Sequence, residues 1–122
     1  MNNISDAEWK IMRVLWNRSP MTGGEIVEAL EAETKWNPKT IHTLIRRLVQ
    51  KEAVTAIKEN SYYAYGAAVS EKDCVKEETD SFLEKCFHGS PNMLLANFIK
   101  NEHLSDKDID ELQALLESKK NR

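Results

Sequence analysis

The residues best suited to chemistry lie between positions 35 and 51, where Lys35, Lys39, Arg46, Arg47 and Lys51 stand with His42 and no acidic residue. Such a run offers recognition of a polyanion. A helix over residues 38–52 gathers Ile41, Leu44, Ile45, Leu48 and Val49 into one arc and sets Lys39, Thr43, Arg46 and Gln50 opposite. His42 falls at one edge of that polar face, Thr40 and Arg47 at the other. In a major groove, Arg bonds guanine O6 and N7, Gln bonds adenine, Thr meets a thymine methyl, and Lys holds phosphate. A solvated helix face usually mixes signs; this one does not, in a chain whose net charge is −3. Lys58 and Asn60 are further candidates for contact with the DNA backbone or minor groove, although an ordinary polar turn accounts for residues 58–61 equally well.

Other chemistries find less support. His42, His88 and His103 are the three histidines, and none has the partner spacing that zinc ligation or nucleophilic catalysis needs. Cys86, Phe87 and His88 make two ligands at most. The sequence has no Gly-rich phosphate loop and no serine elbow, and acidic pairs such as Glu77 with Glu78 read as solubilising charge near helix starts. No catalytic residue, metal or cofactor is expected, and a small hydrolase has no site to support it. Cys74 and Cys86, twelve residues apart on one predicted helix and so about 18 Å along its axis, are too distant to bridge. Both read as reduced packing residues.

The elements that position the basic face are legible from their punctuation. Ser5 with Glu8 and Thr22 with Glu25 form capping boxes, and Asn37 before Pro38 is a third helix start. A first helix with Ile11, Met12, Leu15 and Trp16 on one side stops near Arg18 ahead of Ser19 and Pro20, and a second runs to about Glu33. The period then turns to alternation, with Val54 and Ala56 before a turn at residues 59–61 and Tyr62, Tyr63 and Tyr65 after it, which predicts a β-hairpin. Three helices and a hairpin in about seventy residues is the order of a winged helix-turn-helix. Residues 1–70 are therefore expected to be the DNA-binding domain, in a fold that is mainly α with a small β-hairpin wing.

Composition agrees with this division. The chain has 122 residues, 41% hydrophobic and 30% charged, which fits a helix-rich globular protein of one domain with an extension. Residues 1–70 carry nine Lys/Arg against eight Asp/Glu, a net of +1, whereas residues 71–122 carry eight against twelve, a net of −4. No apolar stretch is long enough to span a bilayer, and the first residues lack the basic-then-apolar order of a signal peptide, so a cytoplasmic protein without membrane insertion is expected. Residues 71–122 predict three helices opening near Ser70, Ser90 and Ser105. Their apolar residues, Phe82, Leu83, Phe87, Leu94, Leu95, Phe98, Ile109, Leu112, Leu115 and Leu116, are too many to stand in water. A second copy of the segment would cover them and give a homodimer with two reading helices; folding back onto the winged domain is the alternative.

Two sets of residues carry a family resemblance. Ile4-Ser5-Asp6-Ala7-Glu8-Trp9 with Val14-Leu15-Trp16, and Trp36-Asn37-Pro38-Lys39-Thr40-Ile41-His42-Thr43-Leu44, resemble the penicillinase repressor family of β-lactamase and methicillin-resistance repressors. The likeness continues through Phe82-Leu83, Leu94-Leu95-Ala96-Asn97-Phe98, Leu104-Ser105 and Ile109-Asp110-Glu111-Leu112. It implies a homodimeric repressor on palindromic operator DNA, reading with Lys39, Thr40, Thr43 and Arg46 and controlling resistance or sensor genes. It also implies inactivation through a membrane-bound penicillin-sensing metalloprotease that triggers cleavage at an Asn-Phe bond, which Asn97-Phe98 matches. Two features depart from the pattern. His42 stands where a longer or more polar side chain is expected, and the tail lacks the Cys pairs of copper-responsive relatives. The alternatives are a winged-helix interaction module without a DNA target and a family repressor of genes unrelated to β-lactams.

Overall fold

A computed structural model describes residues 3–121. The elements run α1 (Asp6–Asn17), β1 (Met21–Thr22), α2 (Gly23–Glu31), α3 (Pro38–Gln50), β2 (Val54–Glu59), β3 (Tyr62–Ala67), α4 (Glu71–Phe87), α5 (Pro91–Asn101) and α6 (Asp106–Lys120). This is the mainly helical, winged helix-turn-helix order expected from the sequence. The chain divides into two compact units between Glu77 and Glu78, within α4.

Each of the first three helices starts where its cap requires. Ser5 and Thr22 accept from the backbone N–H of Glu8 and Glu25, whose carboxylates accept in return from the cap N–H groups, and Asn37 accepts from Thr40 N at 2.9 Å. These bonds satisfy donors that a helix start otherwise leaves open. The core of this unit is then closed by one apolar face from each helix: Ile11, Met12 and Leu15 of α1, Ile26 and Leu30 of α2, and Ile41, Ile45 and Leu48 of α3 are all essentially removed from solvent. Trp9 and Trp16 meet edge to face at 5.5 Å, and Trp16 Nε1 donates to Val69 O at 2.9 Å, tying α1 to the chain just beyond β3.

The sheet holds one strand more than the hairpin predicted. Met21 and Thr22 pair with Tyr65 and Ala64, so the order is β1-β3-β2. Two residues are too few to show a period of two, and Thr22 announces itself as a helix cap. The extra strand fixes the start of α2 beside the wing. The exit of α3 is fixed as well. Ala53 N donates to Leu48 O and Glu52 N to Val49 O, both at 3.0 Å, with Glu52 in the left-handed region at φ 65°, a Schellman ending that turns the chain into β2. It ends the helix at Gln50, slightly before the predicted limit.

Helix α4 opens in the first unit with Ser70 accepting from Asp73 N and ends in the second near Gly89 at φ 79°, while Ser90 and Ser105 cap α5 and α6. The reading of both cysteines as packing residues is half corrected: Cys74 is buried, its thiol held above its ordinary pKa by burial and by Glu77 and Asp73, whereas Cys86 is exposed. Cys74 faces the core side of α4 where that helix leaves the first unit. Cys86 lies three turns on, where the helix offers no buried face.

Among the described residues one charged side chain is buried. Glu8 is 2% exposed, and it accepts from Lys51 Nζ and from Ser5 N. Burial pushes its carboxyl pKa up, but the Lys51 ammonium and the Ser5 bonds outweigh this and hold it below the ordinary value. A depressed carboxyl stabilises the fold above the unfolded pKa and loses that contribution as the pH falls through the folded one. Lys51→Met, which leaves Glu8 buried without its cation, is expected to lower the unfolding free energy by about 2 kcal/mol at neutral pH. The gap from wild type should shrink below the ordinary glutamate range, as Glu8 takes up a proton in both proteins; chemical denaturation at several pH values checks it, and a gap that is the same at every pH would contradict the pairing.

Candidate nucleic-acid interface

Because α3 turns Ile41, Leu44, Ile45 and Leu48 inward, its other face must look outward. Lys39, Thr40, His42, Arg46, Arg47 and Gln50 are exposed and Thr43 is half-buried. The face carries its own order. Thr43 Oγ1 donates to Lys39 O at 3.0 Å, and Arg46 Nη2 reaches Thr43 Oγ1 at 3.4 Å. Among the described residues no carboxylate pairs with Lys39, Arg46 or Arg47, so three cations on one face remain available to a polyanion.

The face has two flanks. On one, Asn37, Lys39, Thr40, Thr43, Leu44 and Arg47 line an open groove of about 310 Å³. On the other, His42 lies over Gly23 at the start of α2, close to Tyr65 of β3. Lys51 behaves differently from the rest of the basic run. It is committed to Glu8 and to Asn3 O, so one of the five bases counted in the sequence belongs to the fold.

The wing places Lys58 opposite Tyr63 and Ala56 opposite Tyr65 across β2 and β3, which puts Lys58, Tyr63 and Tyr65 on one sheet face. Tyr63 and Tyr65 stack at 6.5 Å. Asn60 sits in the turn at φ 28°, a conformation Asn tolerates, and both Lys58 and Asn60 are exposed. Sequence reasoning used the tyrosines only as strand formers and passed over Gly23. Only the alternation of residues 62–65 could have signalled that Tyr63 and Tyr65 share the face of Lys58.

In the second unit Phe82, Leu95, Phe98, Ile109, Leu115 and Leu116 are exposed, while Leu83, Phe87, Leu94 and Leu112 are half-buried. Phe82 and Phe87 meet edge to face at 5.7 Å. Asn97 and Phe98 lie exposed inside α5. No group of three or more His, Cys, Asp or Glu side chains is placed to hold a metal ion among the described residues, and none of their helices is long and apolar enough to cross a membrane.

The sequence profile of the penicillinase repressor family matches residues 4–118. The penicillinase repressor of Bacillus licheniformis is 37% identical over 119 residues, 98% of this chain and 93% of the relative. The methicillin resistance regulatory protein MecI of Staphylococcus aureus strain N315 is 35% identical over 116 residues, 95% of this chain and 94% of that one. Among solved structures, the chain is similar to the DNA-binding domain of the repressor BlaI, with 36% identity and a TM-score of 0.55 over 59% of this chain and 88% of that one. It is also similar to the monomeric form of Bacillus licheniformis BlaI in complex with the blaP half-operator, with 37% identity and a TM-score of 0.52 over 58% and 87% of the two chains.

The two arginines of α3 should separate by role. Arg46→Ala is expected to weaken specific DNA binding by about 1–3 kcal/mol and to relax preference at one base pair, whereas Arg47→Ala weakens binding to all duplexes alike and lowers the salt slope by about one. Anisotropy titrations at several salt concentrations decide it. A loss under about 1 kcal/mol for Arg46→Ala would remove that residue from base contact.

Proposed function

The chain belongs to the penicillinase repressor family of DNA-binding regulators, and on that premise we propose that it acts as a homodimeric transcriptional repressor on palindromic operator DNA, controlling β-lactam resistance or sensor genes. The observation that carries the reading is the face of α3, with Lys39, Arg46 and Arg47 exposed, free of carboxylates among the described residues, and backed by a rigid apolar core. Lys39, Thr40, Thr43, Arg46 and Gln50 would meet base edges and phosphates, Arg47 the backbone, and Lys58 and Asn60 the flanking strand or minor groove.

Residues 1–70 are assigned the DNA-binding role and residues 71–122 the dimerising one. The support for the second assignment is the row of exposed large apolar side chains on α4, α5 and α6, which a twofold-related copy would remove from water. Two linked reading heads bind a palindrome far more tightly than one, because the second head acts at a high effective concentration. Cleavage between Asn97 and Phe98, under a membrane-bound penicillin-sensing protease pathway, would cut α5 and undo that linkage without altering α3. The cytoplasm is the compartment this implies. Family membership favours the repressor over an interaction module without a DNA target, for which no surface speaks as plainly as the face of α3.

Selection of bound sequences from a random duplex pool, with the mass in solution measured at the same concentration, tests the proposal. A palindrome recovered by a dimer is the expected result; no enriched sequence, or a stable monomer, would overturn it. Replacing Asn97 or Phe98 is expected to block induced cleavage while dimer and operator binding persist. Cutting that continues at the same bond, or operator release without any cut, would remove the proteolytic switch.

A further inference from the structure

Two glycines open α2, and they meet different neighbours. Neither takes a left-handed backbone conformation, so the helix itself does not call for glycine at either place, and alanine would suit the first turn better. A side-chain carbon on Gly24 would find nothing nearer than Thr22 Oγ1, at 4.0 Å. On Gly23 the same carbon would lie 2.9 Å from His42 Cε1, 3.4 Å from His42 Nδ1 and 3.8 Å from Tyr65 Cε2. The space above Gly23 is therefore taken by one edge of α3 and by the base of the wing.

The bare backbone at Gly23 lets the imidazole of His42 lie back against the start of α2. A methyl group there forces the ring into another rotamer. His42 is exposed and can yield. The ring then turns off α2 toward its neighbours on the helix surface, Lys39 at i−3 and Arg46 at i+4, which are groups the DNA would meet.

We propose that Gly23 is a positioning residue of the DNA-reading face, acting through His42. The glycine seats the ring against the start of α2, where Tyr65 also approaches, and the ring is a positioning residue for its edge of α3. This inference rests on the reading of the chain as an operator-binding repressor. It also gives a physical sense to an imidazole where the family pattern leads one to expect a longer side chain.

The test uses the full chain and the duplex recovered by selection, with binding, base preference at each position and thermal unfolding measured for Gly23→Ala, Gly24→Ala, His42→Ala and the Gly23→Ala/His42→Ala pair. Gly24→Ala should bind within about twofold of wild type, and Gly23→Ala should lose roughly tenfold while still unfolding cooperatively. His42→Ala should lose less and keep the same base preference throughout. The pair should bind as His42→Ala alone does, because once the ring is gone the methyl group meets only Tyr65, at an ordinary contact distance. Binding of Gly23→Ala at the wild-type level would overturn the proposal. So would a loss that persists beside His42→Ala, a relaxed preference at one base pair in His42→Ala, or a Gly23→Ala chain that no longer folds. A wild-type chain that binds no duplex overturns the operator reading first, and is seen before any substitution is made.

Discussion

The structure depends on a division of one helix. Thirteen residues of α3 must place Ile41, Leu44, Ile45 and Leu48 in the core of the first unit, and burying those side chains is worth roughly 1.5–3 kcal/mol each. The helix cannot rotate without exposing them. The outward direction of Lys39, Arg46, Arg47 and Gln50 is therefore set by packing on the opposite side, and the reading face inherits the rigidity of the core. A recognition surface built on a loop would have to be ordered at each encounter, at a cost in entropy that this arrangement has met on folding.

Three local devices hold that helix in place along the chain. Asn37 and Pro38 fix where it begins, the Schellman turn at Lys51, Glu52 and Ala53 fixes where it ends and how the wing departs, and the Lys51 to Glu8 pair pins its last turn to α1. The first two are backbone hydrogen-bond closures. The third places a buried carboxylate beside a cation, an arrangement weak as a source of net stability but costly to half-remove. Each sits on the inner or terminal side of α3, so the outer side stays clear of contacts that DNA would have to displace.

Much of this was legible in the sequence because its signals are local and periodic. The capping boxes of Ser5 and Thr22, the Asn37-Pro38 start and the apolar arc of α3 each lie within a few residues of one another, and the structure places them as read. What the sequence did not show is long-range. The pairing of Met21 and Thr22 with Tyr65 and Ala64 crosses more than forty residues on two-residue evidence. The commitment of Lys51 to Glu8 turns a base that looked available into a structural one, since composition cannot tell a solvated ammonium from one that is spoken for. The seat of His42 above Gly23 exists only once α2 and α3 are packed. Cys86 showed the reverse error, where an apolar pattern around residues 82–87 suggested burial that a single chain does not supply.

The central claim is that DNA is met by the outer face of α3 and the flank it shares with the wing. The most direct test is to follow backbone amide resonances of the isotopically labelled full chain while titrating the selected duplex. The account predicts that the amides of Lys39, Thr40, Thr43, Arg46 and Gln50 shift most, with Gly23 and Lys58 following and those of α6 nearly still. Shifts concentrated on α5 and α6, with α3 unmoved at saturating duplex, would contradict it.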